Sequence, residues 1–378
     1  MINVLFQLNS LGYGGTEKAT LSLIRSIDKN LFSPSLFFNT NFKHPDYYKI
    51  RALSLFSRRY KAKFQEKYKT GFVRLDDFFE ATGERLFVGW GMRDFLECIN
   101  KVKPDIIHMN RGLPADFYTS DSEVISQQAK IVDYNIFGTR PPPRYHANTS
   151  QMLFTSHWSL EKSDWADPRK SHVLYFPTTR RVEDPQSRLR QRLQLPGGSL
   201  LIGRLSRPNL DDGDFILKVL NFLFAKYDNL HFVGIGSSDV FKKNTASLSR
   251  VHHLPPTTRE EEIDDFITSL DVLLHYRKEG ETFGLNIAEA MTRGVPVVTH
   301  RSEVDNAQVE LLTRFRDSGL IVNVESPYEY SLEVERLIKD PGLRDTLGSN
   351  GSVTASENFD TNKITRALQS IYLKALEA

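Results

Sequence analysis

The chain has 378 residues, 40% of them apolar and 25% charged, with a net charge of +2. That length exceeds one ordinary domain and suits two of about 180 residues, and the composition is that of a soluble globular protein. A lone cysteine, Cys98, excludes an internal disulfide framework and a Cys-cluster zinc site. No apolar run approaches the roughly 20 residues that span a bilayer, and the start, Met1-Ile-Asn-Val-Leu-Phe-Gln, lacks the basic region and cleavage site of a signal peptide. A cytoplasmic location is expected.

Short β-rich runs alternate with helical periodicity. Strands are expected at 3–8, 35–38, 105–109, 130–134, 152–155 and 173–176, then at 200–203, 230–234, 251–254, 272–275, 295–299 and 320–323. Most are continuous apolar runs, as strands buried on both faces should be, and the intervening helices imply parallel sheets. The fold class is α/β: two doubly wound, Rossmann-like domains. The polar stretch after Phe176-Pro177 marks the boundary, giving domains 1–180 and 181–360. Ligands of open α/β sheets sit beyond the carboxyl ends of the strands, so a cleft between the domains is the expected site. The final helix, 361–378, carries Ile364, Leu368, Ile371, Tyr372 and Leu376 at helical spacing and should pack back toward the amino-terminal domain.

The first strand runs into Gly12-Tyr13-Gly14-Gly15-Thr16-Glu17, and the helix that follows would bury Thr20, Leu23, Ile24 and Ile27, with Thr16 as its N-cap. Glycines at such a turn let backbone N–H groups approach a phosphate, or simply make the turn tight. The dinucleotide fingerprint would need a third Gly where Glu17 stands and an acid after Asn39; both are missing, which argues against a dehydrogenase.

The stretch 43–74, from Lys43 to Arg74, then holds ten Lys or Arg against two acids, interleaved with Tyr47, Tyr48, Phe56, Tyr60, Phe64, Tyr68 and Phe72. It suits peripheral contact with an anionic membrane or a charged acceptor; the alternative is a solvated helical face with its aromatics turned inward. No nucleic-acid motif accompanies it. His108, ending a strand, could face a sugar or serve the core.

In the second half, Gly203-Arg204-Leu205-Ser206-Arg207 closes the first strand, where a guanidinium could grip a diphosphate bidentately or join a surface ion pair. His252 and His253 face opposite ways on one strand and do not make a metal pair. The segment Glu281-Thr-Phe283-Gly284-Leu285-Asn-Ile-Ala-Glu289 puts a carboxylate on a loop and another inside the helix it opens, which Gly294 and Pro296 stop. A helix N-terminus flanked by carboxylates suits a ligand with both phosphates and hydroxyls, a nucleotide sugar.

Gly14-Gly15-Thr16-Glu17, Gly203-Arg204-Leu205 and Glu281 to Glu289, in this order and spacing, resemble the signature set of the retaining GT-B glycosyltransferases of family 4, over essentially the whole chain. The resemblance implies that Gly14 and Gly15 lie near the diphosphate and the acceptor, and that Arg204 neutralises the leaving diphosphate. It places Glu281 against the donor sugar, with Phe283, Gly284 and Leu285 offering backbone N–H groups. Glu289 would hold the ribose, and His253 and Leu254 would lie beside the base.

Two departures stand out. The family's second cation is replaced by Asn209-Leu-Asp211-Asp212-Gly213, so either Arg207 supplies that charge or this loop turns away, and Asn135 stands where relatives carry a sugar-contacting His. The implied activity is sugar transfer from a nucleoside-diphosphate sugar to an acceptor hydroxyl with retained configuration, in polysaccharide, lipopolysaccharide or other glycoconjugate synthesis. The acceptor would be a glycan or a lipid-linked molecule, and neither a cofactor nor a metal is expected. The alternatives are phosphorolysis, sugar-nucleotide epimerisation, or a catalytically silent nucleotide-sugar-binding subunit.

Overall fold

The computed structural model describes residues 1–39, 71–113, 116–179, 188–208, 210 and 213–377. The basic stretch up to Thr70, the polar boundary residues 180–187, and Asn209, Asp211 and Asp212 lie outside the described residues. The chain divides into two units, Met1–Pro177 with Thr361–Ala378, and Thr178–Asp360.

The first unit is built on a parallel sheet with the order β3-β2-β1-β4-β5-β6-β7. Its strands are β1 Ile2–Leu8, β2 Phe32–Asn39, β3 Leu86–Gly89, β4 Ile106–Arg111, β5 Lys130–Asn135, β6 Thr149–Phe154 and β7 Ser171–Val173. Val4, Leu5, Ile107 and Ile131 are fully buried, because helices cover both faces and leave no polar side for alternation. The helix Gly15–Ser26 buries Thr20, Leu23 and Ile24, and the final helix, Thr361–Glu377, packs against it and against β5 and β6. Tyr372 of that last helix is buried, with its hydroxyl 2.8 Å from His108 Nδ1 on β4.

The second unit repeats the plan in the order β10-β9-β8-β11-β12-β13. The strands are β8 Leu200–Leu205, β9 Leu230–Ile235, β10 Val251–Leu254, β11 Val272–Leu274, β12 Val297–His300 and β13 Gly319–Val322. Ile202, Leu220, Phe232, Leu274 and Tyr330 meet in its core, where helices Gly213–Phe224 and Pro327–Lys339 cover one face of the sheet. Every described strand pairing in both sheets is parallel. This is the doubly wound α/β class expected from the sequence.

Three local expectations change. Thr16 is not the N-cap; the helix begins at Gly15 with Gly14 as N-cap, and a Cβ on Gly14 would meet the Glu17 carboxylate at 2.0 Å. The strand expected at 173–176 is Ser171–Val173, because Leu174 N–H still bonds to Phe154 but the chain then leaves the sheet. β12 begins at Val297, since Gly294 at φ +71° and Pro296 still belong to the turn. β3 was not anticipated. It is four residues long at a sheet edge, too short to give a periodicity.

Candidate active site

In each unit the strand order reverses once, between β1 and β4 and between β8 and β11. Ligands of doubly wound sheets bind outside the carboxyl ends at such a reversal. In the Thr178–Asp360 unit, Arg204 is the last residue but one of β8, and the segment following β11 runs through His275 and Tyr276 to Glu281.

Arg204 is 8% exposed, and its Nη2 donates to the Tyr276 carbonyl at 3.3 Å, which ties the two strand ends together. The Tyr276 ring stacks on Phe215 with centroids 3.7 Å apart, and its hydroxyl donates to Glu325. The carbonyl that accepts from the guanidinium thus belongs to a residue whose ring is held by stacking.

The Glu281 loop is fixed by its backbone. Gly280 has φ +71°, and a Cβ there would lie 1.7 Å from the Asp305 carbonyl, so only glycine permits the approach. Glu281 N–H donates to Gln308 Oε1 at 2.9 Å and its carbonyl accepts from Ala307 at 3.0 Å. Phe283 is buried edge-on against Phe359.

Gly284, left-handed at φ +95°, is the N-cap of the helix Leu285–Thr292. Asn286 in the first turn donates to the Leu205 carbonyl at 3.0 Å, which sets the helix start beside the end of β8. The early N–H groups of a helix have no helical carbonyl before them and carry the positive end of its dipole. Glu289 lies buried inside this helix, whose carbonyl at that position accepts from Arg293, itself paired with Asp264.

These contacts bring Arg204, Glu281 and the start of the Leu285 helix to one place. Arg207 stands apart, exposed beyond the strand end. The His253 ring is committed within the unit, with Nδ1 3.0 Å from Ser237 Oγ and Nε2 2.8 Å from Thr245 Oγ1. Leu254 ends β10 half-buried beside it. His300, at the end of β12, is 1% exposed, and neither ring nitrogen has a hydrogen-bond partner among the described residues. Burial, with His275 nearby, pushes its imidazole down to about 4.

Sequence reading passed over His275, Tyr276, Asn286 and Gln308. The first two directly follow a buried strand, a position that could have drawn attention to them. Gln308 carries no local signal, since its role depends on a loop 27 residues away.

In the other unit, Gly14 and Gly15 open the first helix after β1. Carboxamides line the neighbouring strand ends. Gln7 Nε2 donates to Asn9 Oδ1 at 2.8 Å, Asn39 Nδ2 to the same oxygen at 3.2 Å, and Asn110 Nδ2 to the Gln7 carbonyl at 2.9 Å.

Asn135 is fully buried, and its amide clasps the next loop: Nδ2 donates to the Thr139 carbonyl at 2.8 Å, and Oδ1 accepts from Thr139 N–H at 3.1 Å. The same loop is held by Arg111, whose Nη1 reaches Thr139 Oγ1 at 2.9 Å while Nε bonds to Asp133 at 3.0 Å.

Residues 198–340 match the family profile described as Glycosyl transferases group 1. A curated relative, the D-inositol 3-phosphate glycosyltransferase of Streptomyces bingchenggensis (strain BCW-1), is 29% identical over 211 residues, which are 55% of this chain and 39% of that protein. The chain thus spans about two fifths of the length of that relative.

Among solved structures, Anabaena Alr3699/HepE in complex with UDP and glucose matches with a TM-score of 0.68 at 16% identity, covering 98% of this chain and 99% of that one. The sucrose-phosphate synthase of Thermosynechococcus elongatus matches with a TM-score of 0.69 at 16% identity over 100% of both chains. Among the described residues no helix is long and apolar enough to cross a membrane. The chain has the GT-B fold, and its residues 198–340 match the glycosyl transferases group 1 profile.

Proposed function

We propose that the protein is a retaining, family 4-like glycosyltransferase that moves a sugar from a nucleoside-diphosphate sugar to an acceptor hydroxyl in glycoconjugate synthesis. The observation that carries this reading is the convergence of Arg204, Glu281 and the Leu285–Thr292 helix start at the strand reversal of one sheet. All three lie inside the segment matched by the group 1 profile.

Breaking the donor's glycosidic bond separates an anionic diphosphate from a sugar that becomes oxocarbenium-like. Arg204 and the helix N–H groups of Leu285 and its neighbours stabilise that diphosphate, and preorganised dipoles of this kind are often the largest catalytic contribution. Glu281 faces the transferred sugar and offsets its developing positive charge. Glu289 and Glu281 share one loop-helix element, so they are not the two flanking carboxylates of a glycosidase; Glu289 holds the ribose hydroxyls.

Because the His253 ring is engaged internally, recognition of the base falls to the backbone around His253 and Leu254. Asn135, with both amide atoms on Thr139, shapes its loop instead of contacting the sugar directly. Gly14 and Gly15 take the diphosphate and acceptor side. Arg207 supplies a second, mobile cation at the surface, and the basic stretch 43–74 meets the acceptor or an anionic membrane. The cation and helix dipole already meet the diphosphate charge, so we assign no divalent ion to the reaction.

UDP is the first nucleotide to try, since the Anabaena protein binds UDP and glucose. The test incubates the protein with a panel of nucleotide sugars, UDP-glucose first, with and without EDTA, and measures released nucleoside diphosphate. Release that EDTA leaves unchanged is expected. Nucleotide binding with no release from any donor would replace this reading with the silent binding subunit.

A further inference from the structure

The Glu281 backbone is pinned by Gln308 and Ala307. Its carboxylate is 29% exposed and has a second constraint: Oε1 lies 3.6 Å from Nε2 of His275, which is only 3% exposed. His275 follows β11 directly. Its N–H donates to the Val298 carbonyl at 2.9 Å, and its own carbonyl accepts from the Tyr330 hydroxyl at 3.1 Å. The ring cannot drift, because Nδ1 sits 2.8 Å from the hydroxyl of Thr299, which is fully buried on β12.

The Thr299 hydroxyl can donate or accept. If it donates to Nδ1, the neutral ring carries its proton on Nε2, toward Glu281. If the ring is protonated, both nitrogens carry protons and Nε2–H again faces the carboxylate. Only a ring with Nδ1–H and a bare Nε2 would set a lone pair against the carboxylate oxygen, an electrostatically unfavourable arrangement. The 3.6 Å separation is longer than a formed hydrogen bond; such contacts commonly tighten only when the substrate is bound.

We propose that His275 is the positioning residue of Glu281: Thr299 orients the ring so that Nε2–H faces Oε1 and holds the carboxylate at one angle. The catalytic consequence rests on the reading of Glu281 as the carboxylate on the sugar side. A preorganised group avoids reorganisation during the reaction, so loss of the brace should appear in kcat and not in KM.

The test separates the two ring nitrogens. His275→Gln can place an amide N–H near the Nε2 position, whereas His275→Asn reaches only as far as Nδ1 and keeps the Thr299 contact. With UDP-glucose as the probe, or another donor that wild type cleaves, kcat should fall about tenfold in His275→Asn with KM within about twofold, and His275→Gln should recover a large part of the loss. In a Glu281→Gln background, adding His275→Asn should change kcat by less than about twofold. Equal losses in the Asn and Gln variants, or a full additional loss in the Glu281→Gln background, would overturn the assignment.

A readout independent of turnover is the long-range proton–nitrogen spectrum of the nitrogen-15-labelled protein, with the His275 signals identified by their disappearance in His275→Gln. It should show a proton on Nε2. A neutral ring protonated on Nδ1 alone would sink the proposal even in an active enzyme. Absence of turnover with every donor would instead sink the functional reading and leave the tautomer result to decide the brace.

Discussion

The two sheets share one strand order over six strands, the first adding β7 at its edge, yet their carboxyl ends carry different side chains. At the ends of β8 and β11 stand a guanidinium, a helix start and a carboxylate, held by Gln308, Asn286 and His275. At the ends of β1, β2 and β4 stand carboxamides, linked through Gln7, Asn9, Asn39 and Asn110. Cations and helix N-termini suit phosphate, and amides, which both donate and accept, suit hydroxyls. A helix also starts after β1, at Gly15, so the two ends differ in these side chains; on the proposed function the charged one is the phosphate end and the other an amide end.

In the same unit a buried ion pair fixes the end of β4 to β5, and breaking it should give the largest effect. Arg111 and Asp133 are both fully buried, with Tyr145 also donating to the carboxylate at 3.2 Å. Burial pushes the Asp133 carboxyl above its usual range, against the pull of the Arg111 guanidinium. Arg111→Ala leaves that carboxyl buried without its cation and should cost about 3–5 kcal/mol. Replacing both partners, Arg111→Met with Asp133→Leu, should restore much of it. Urea unfolding measures the loss, and hydrogen exchange locates it. Equal loss of protection in both units would show that the two ends are not independent.

The phosphate end is tested through activity. Arg204→Ala should lower kcat about a hundredfold, as loss of one preorganised stabiliser of a leaving group does. Glu289→Ala should act mainly on donor affinity, raising KM about tenfold. Steady-state kinetics with a cleaved donor separates the two. Small and equal effects of both changes would remove this end from the reaction.

The contrast also explains what could be read in advance. Strands such as Val4 to Phe6 and Val272 to Leu274 are apolar throughout, because both faces are covered, and this pattern is local. The phosphate end was legible for the same reason: from Glu281 to Glu289 the loop, the helix start and both carboxylates occupy nine consecutive positions. His275 and Gln308 escaped notice because they act on that segment from other strands and helices. The amide end was almost wholly hidden. Gln7, Asn39 and Asn110 come together only through the pairing of β1 with β2 and β4, and none carries a signal of its own. Asn135 illustrates the limit, since its position was legible while the commitment of its amide to Thr139 was not.

The smallest expected effect sharpens the contrast by showing that a histidine at the amide end serves the fold. His108, on β4, is enclosed by the rings of Phe6, Tyr134 and Tyr372, with centroids 4.9, 5.7 and 6.0 Å away. Burial pushes its pKa down from 6.5 to about 3. As pH falls below 6.5, the unfolded chain therefore takes up this proton first. The contribution is fully present above the unfolded value and is lost at about 1.4 kcal/mol per pH unit below it, down to about pH 3. His108→Asn, whose amide reaches as far as Nδ1, keeps a polar partner for the Tyr372 hydroxyl but cannot take up a proton in this range. Between about pH 7.5 and 5.5, wild type should lose about 1.4 kcal/mol more stability than the variant in urea unfolding, all other titrating groups cancelling in the difference. An identical pH dependence of the two proteins would mean that the imidazole is hydrated or charged in the folded chain, and would return His108 to the candidates for ligand contact.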